Sequence, residues 1–401
     1  MSILIENGQL FIEGRLVHAN LVISGSKIEG ITQQKVSCDD YIDATGKIVL
    51  PGIIDPHVHF REPGMTYKED FLSGSRAAAA GGVTTIIDMP NTVPATTTVQ
   101  LLGEKRELAK KSVVNYAFHF GAAKGNLNEI RAARNIASVK LFMNLSTGNL
   151  MVDDEAAKKQ IFQNSKLVSV HAELEKVSEA IGLVIDTKNK LYLCHLSTAS
   201  EISFLEDIPK NKVFAEVTPH HLFLSDADDK DNFTKMKPQL RKKEDQDALW
   251  KAIETGIIDT IGSDHAPHTI QEKKQKGITY GVPGVETSLP LMLNAVNKGR
   301  LSLKRLVEMC CENPARIFCI QNKGFIRKGF DADLVIIDMA LEKQVQNQEL
   351  FTKCLWSPFH CTTLTGWPVM TIVNGKVVFD NGKIYEHRAT ELVLGGKNGY
   401  S

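Results

Sequence analysis

This chain of 401 residues carries no surplus of charge: Lys and Arg total 47, Asp and Glu total 47, and the formal net charge is zero. Without a basic excess there is little to neutralise a phosphate backbone, which argues against nucleic acid as a partner. Long apolar runs are missing as well. No stretch of about 18 apolar residues occurs, and the opening MSILIENGQLFIEG has no basic segment leading into an apolar core. A soluble, unexported protein with no membrane partner is expected. The seven cysteines, at 38, 194, 310, 311, 319, 354 and 361, show no paired spacing of a zinc ribbon or redox motif. A chain this long needs no covalent staples, so they read as reduced thiols in a cytoplasm. Internal repeats, low-complexity tracts and flexible linkers are also lacking.

What is present changes character twice. The first fifty residues alternate short apolar runs with turn signals, as in ILIENGQLFIEGRLVHANLVISGSKIEGI, the pattern of small antiparallel strands. From residue 52 onward, apolar runs such as VTTIIDM, VVNYAFHFG, SVKLFMN, KLVSVHAE, KLYLCHLS, KVFAEVT and IDTIGSDHA are separated by helical stretches. Strand alternating with helix implies a parallel sheet, and this many units imply a closed (β/α)8 barrel. After residue 322 the short strands return, with NG turn signals in VMTIVNGKVVFDNGKIY. The expected organisation is a β-sandwich domain begun by residues 1–51, a barrel over 52–322, and the rest of the sandwich with a C-terminal tail over 323–401.

Within IDPHVHFREPG, His57 and His59 sit two apart. Alternate residues of a strand share a face, with Cβ atoms roughly 7 Å apart, so the pair can chelate one metal or be satisfied by local hydrogen bonds. His171, His195 and Asp264 each lie at or near the C-terminal end of a strand-like run. In a barrel these ends converge on one mouth, where active sites are built. Chance would scatter five such residues. Lys140, inside SVKLFMN, is costly to bury charged. Its amine either reaches a carboxylate or water at the rim, or is neutral and able to add carbon dioxide, giving a carbamate long enough to bridge two metals.

These segments, together with MPNT at 89–92, EVTPHHLFL, SDHAPHT, GVPGVETSLP, NPARIF and KGFDADLVIID, resemble the amidohydrolase superfamily, in order, from the early β layer to about residue 380. Within it, HVHFREPG resembles the dihydroorotases. Allantoinases usually differ at the position of Arg61, and hydantoinases and dihydropyrimidinases lack the REPG continuation. The resemblance implies two zinc ions per subunit: His57, His59 and Asp264 on one, His171 and His195 on the other, bridged by carboxylated Lys140 and a hydroxide. It makes Asp264 the catalytic proton carrier. It also implies that Arg61, Asn91 and His268 hold the substrate carboxylate and ring, helped by backbone groups near Pro283 and Gly284. The activity implied is the reversible ring opening of dihydroorotate in pyrimidine synthesis, with a homodimer and association with aspartate transcarbamoylase as expected partners. Arg61 fits that substrate, because a guanidinium grips a carboxylate through two parallel hydrogen bonds. Its bland alternative is an ion pair with Glu62 or Glu69. The competing activities are allantoinase or hydantoinase, and a noncatalytic scaffold is the alternative outside enzymes.

Some relatives bridge the metals with an aspartate, but Asp153 and Asp154 read as the acidic start of a helix in LMVDDEAAKK. NLSTGNL, residues 144–150, stands where relatives carry a substrate-closing loop, with Ser146 or Thr147 as donors. Lys237 occupies a place where many relatives have arginine, and it receives no role. His220 and His221, read as strand neighbours on opposite faces, are expected to supply one buried, hydrogen-bonded histidine. His119 and His265 are expected to be structural, and His18, His360 and His387 to lie in the β domain.

Overall fold

The seven apolar runs and the IIDPHV segment form eight parallel strands in the computed structural model, which describes residues 1–145, 150–185 and 187–395. They are β1 (Ile53–Val58), β2 (Val83–Asp88), β3 (Asn115–Gly121), β4 (Ser138–Phe142), β5 (Leu167–His171), β6 (Lys190–Leu193), β7 (Val213–Val217) and β8 (Thr260–Ile261). They pair in sequence order in one sheet. Most are buried along their whole length, the state in which both faces of a strand are covered and the sequence reads as a continuous apolar run. The sheet curls shut where Val58 bridges His265 and the His59 N–H donates to the His265 carbonyl at 2.8 Å. The result is a (β/α)8 barrel.

Helices follow the strands as the local chemistry requires. Asp70 caps Phe71–Ala80 by accepting from the amides of Leu72 and Ser73, and the small residues of that helix let it lie close to the barrel. Asp154 caps Glu155–Gln163, so the acidic pair begins a helix as expected.

The two ends of the chain meet in β layers. Ile48–Pro51 pairs with Gln9–Ile12 on one side and with Leu334–Gln344 on the other, inside a seven-stranded sheet. A four-stranded sheet of N-terminal strands faces it, and Ile3, Ile5, Leu21, Val49, Leu334 and Ile372 fill the core between. Asn374–Gly375 turns one hairpin with positive φ at both residues, as the NG signal requires.

Two C-terminal segments leave these layers. The Leu392 amide donates to the Tyr116 carbonyl at 2.8 Å, beside β3. Residues 350–357 return to the barrel mouth, where Trp356 Nε1 donates to the His268 carbonyl at 2.7 Å.

Candidate active site

The barrel mouth gathers the residues singled out from the sequence. His57 lies in β1 and His59 just past it, Lys140 is in β4, and His171 ends β5. His195 and Asp264 follow β6 and β8. All six line one open cleft of about 380 Å³, together with Phe142, Lys237, Ala266, Tyr280 and Gly281. Asp264 Oδ1 is 3.3 Å from His57 Nε2 and 3.0 Å from His59 Nε2. His171 Nδ1 and His195 Nε2 face each other at 2.8 Å. Lys140 is fully buried, and among the described residues it forms no ion pair; its Nζ lies 2.9 Å from Cys194 Sγ.

The electrostatics sort these groups. Burial opposes protonation of His57, but Glu216 and Asp264 overcome it and hold this imidazole well above its ordinary range. Burial pushes His59 down to about 4 and, helped by His171, drives His195 far below the usual value. Asp264 resists burial because His57 and His59 keep its carboxyl well below the carboxylate range. Metal is bound by an ionised carboxylate and neutral imidazoles, so Asp264, His59 and His195 stand ready while His57 must give up its proton on binding.

His57, His59 and Asp264 have ligand atoms all within 4.8 Å of one another, so the donor set fits a divalent cation. His195 Nδ1 is buried without a hydrogen-bond partner among the described residues, which leaves the imidazole held only through Nε2. Lys140 lines the same cleft as both sets of donors.

Arg61 is 3 % exposed, and among the described residues it has no ion pair. The sequence alternative fails because Glu62 pairs with Lys111 at 2.8 Å, and Glu69 is taken by Thr352 and Lys353. Arg61 Nε donates to the Pro267 carbonyl at 3.1 Å, and its Nη2 lies 3.3 Å from His268 Nε2. Asn91 Oδ1 sits 2.6 Å from His59 Nδ1. Pro283 and Gly284 line a smaller cavity behind His265, with Glu286, Thr352 and Trp356, and Gly284 N lies 3.1 Å from His265 Nδ1. Ser146, Thr147 and Gly148 fall outside the described residues.

Residues 48–378 match the amidohydrolase family. The chain belongs to that family. It is 37% identical to a dihydroorotase of Pyrococcus furiosus, over 99% of this chain and 98% of the relative. A dihydroorotase of Lactobacillus acidophilus is 32% identical over 95% of this chain and the whole relative. Among solved structures, the L-hydantoinase (dihydropyrimidinase) of Arthrobacter aurescens superposes with a TM-score of 0.93 at 31% identity, covering 98% of this chain and 99% of that one.

In this amidohydrolase, sequence reasoning overlooked Glu216. Its Oε1 is 2.7 Å from His57 Nδ1 and accepts the His195 amide at 2.9 Å, while Tyr192 donates to Oε2 at 2.8 Å. Gly262 makes room, since a Cβ there would stand 2.4 Å from Glu216 Oε2. The signal was a charged residue inside an apolar strand, the same one that drew attention to Lys140. Asp55, also overlooked, accepts from the His57 and Ser263 amides. One expectation needs correcting: His220 and His221 are not on a strand. They lie in the short helix Pro219–Phe223, started by the Thr218 cap and proline at N1. His221 is the hydrogen-bonded one, to Thr218 Oγ1 at 2.7 Å and the Pro238 carbonyl at 3.0 Å.

Proposed function

We propose that the chain is a dihydroorotase, catalysing the reversible hydrolysis of L-dihydroorotate to N-carbamoyl-L-aspartate. The observation that carries this reading is Arg61: a buried guanidinium beside the cleft, without a carboxylate partner among the described residues, calls for an anion. Dihydroorotate has a carboxylate where hydantoin and allantoin have none. Near full-length identity with dihydroorotases supports the same choice. The fold likeness to hydantoinases agrees with a common attack on a cyclic amide.

His57, His59 and Asp264 would hold one zinc ion, His171 and His195 a second, and Lys140 as a carbamate would bridge them, supplying Lewis acidity and an acidified water. Arg61 grips the substrate carboxylate through paired hydrogen bonds, and His268 and Asn91 complete its cradle. That grip turns the ring carbonyl toward Asp264 and converts an encounter into an oriented reaction. Asp264, kept ionised, accepts the proton of the attacking water and returns it to the departing ring nitrogen. In the synthetic direction the same groups run in reverse. Glu216 holds His57 and the His195 backbone in place throughout.

A cytoplasmic place in pyrimidine synthesis, a homodimer and association with aspartate transcarbamoylase go with this reading. So does a division into a hydrolase barrel over 52–322 and a sandwich built from the two ends. The test is ring opening of L-dihydroorotate by the zinc-loaded protein, run beside allantoin and hydantoin at matched concentrations. Preference for dihydroorotate is expected; activity on the others alone overturns the substrate assignment, and no activity on any of them points to a scaffold.

A further inference from the structure

Behind Arg61 stands a triangle of polar side chains, His268, Lys68 and Glu272, of which the reaction as described uses only His268. Lys68, 7 % exposed, places its Nζ 2.9 Å from Glu272 Oε1 and 3.2 Å from His268 Nδ1. Glu272 Oε2 also lies 3.2 Å from His268 Nδ1. That one ring nitrogen therefore faces a donor and an acceptor at equal distance. Its other nitrogen, Nε2, faces Arg61 Nη2 at 3.3 Å. Burial, reinforced by Arg61 and Lys68, pushes His268 far below its ordinary range, so the imidazole is neutral and has a tautomer to choose.

We propose that Lys68 is a positioning residue that sets the tautomer of His268 when the substrate anion binds. This rests on the dihydroorotase reading for the identity of the anion. A guanidinium only donates, so while Arg61 points at Nε2 that nitrogen accepts. The ring hydrogen then sits on Nδ1 and goes to Glu272. A carboxylate that engages Arg61 takes over its hydrogens, and His268 can serve the same anion only by donating from Nε2. The hydrogen leaves Nδ1 and appears on Nε2, with no change in charge. The lone pair exposed at Nδ1 accepts from Lys68. Glu272 loses one donor and keeps Lys68, the Tyr67 hydroxyl at 3.2 Å and the Thr269 amide at 3.0 Å. The switch thus strands no polar group, and Lys68 never touches substrate.

The experiment is nitrogen-15 NMR of histidine-labelled, zinc-loaded protein, free and with an equilibrium mixture of dihydroorotate and N-carbamoyl-aspartate. The parent is expected to carry the His268 hydrogen on Nδ1 when free and on Nε2 when liganded. Lys68→Met should remain the Nδ1–H form with ligand present, its KM rising about tenfold while kcat stays within about twofold. Lys68→Arg, which keeps charge and donor, should recover part of the KM. A parent already Nε2–H when free overturns the proposal, as does a Lys68→Met protein that switches like the parent and keeps its KM. If the methionine variant does not fold, the parent spectra still decide. A parent that fails to open dihydroorotate sinks the substrate reading instead, and the ligand-free spectrum, which needs no substrate, still judges the tautomer.

Discussion

Glu216 Oε1 lies 2.7 Å from His57 Nδ1 and 2.9 Å from the backbone nitrogen of His195, so one buried carboxylate from β7 ties together histidines of β1 and of the segment after β6. A histidine whose outer nitrogen is anchored presents the inner one in a fixed direction, and the anchor raises its basicity. Glu216→Gln keeps the shape and removes the charge. Metal retention is expected to fall about 10- to 100-fold, read as metal content after dialysis against a graded chelator. Retention equal to the parent's would remove Glu216 from the support of the site.

Asp264 is within 3.3 Å of both His57 and His59 and is held ionised by them. Asp264→Asn retains a ligand oxygen but no basic one. Turnover of dihydroorotate should drop about 10²- to 10⁴-fold while bound metal stays near the parent level. A variant nearly as active as the parent means the proton travels by another group.

Arg61→Met leaves a buried apolar side chain in place of a guanidinium that has no ion pair among the described residues. The KM for dihydroorotate is expected to rise about 10- to 100-fold, as for the loss of charge-assisted hydrogen bonds. Any residual opening of hydantoin, which lacks the carboxylate, should be unchanged. Equal losses on both substrates would make Arg61 a structural residue.

Glu286 accepts from the Phe351 and Thr352 amides, yet burial, with Glu69 nearby, pushes its carboxyl up to about 8. A folded-state value above the unfolded one means the folded chain holds the proton more tightly. This contribution to stability is present below about 4.5 and is lost as pH rises toward 8. Glu286→Gln carries no such proton. Its Tm should fall less than the parent's between pH 5 and pH 8, by an amount on the order of a few kcal/mol in stability. Parallel Tm curves for the two proteins would contradict this.

Lys105, fully buried, reaches Asp88 at 2.5 Å and the Met89 carbonyl at 2.7 Å, and Asp88 in turn accepts the Phe60 amide at 2.7 Å. Removing one partner of a buried pair strands the other. Lys105→Met should lose about 3–5 kcal/mol in denaturant unfolding, and the loosened Phe60 backbone lies between His59 and Arg61. A loss below about 1 kcal/mol would place the pair in contact with water.

Much of the site was legible because a parallel barrel turns a one-dimensional pattern into a ring. Each apolar run ends at the same face, so His171, His195 and Asp264 could be assigned to one mouth from their positions alone. The helix beginning at Pro219 was legible too, since Thr218 followed by proline is a helix start, but reading His220 and His221 as strand neighbours hid it.

By itself the sequence determined the layers, the order of the strands and the identity of the polar residues at their ends, because strand burial and helix caps are set by neighbours along the chain. Only the tertiary structure decided how those residues are aimed. Arg61, His195 and Asp264 all adopt positive φ, at 63°, 38° and 46°, a region that side chains with a Cβ rarely occupy. Surrounding contacts must hold them there. Whether Arg61 pairs with an acid depended on where Lys111 and Thr352 put Glu62 and Glu69, and Thr352 comes 283 residues after Glu69. Placement of Glu216 under His57 required the gap at Gly262. Each of these is settled by atoms far apart in the chain, and local pattern carries no record of such distances.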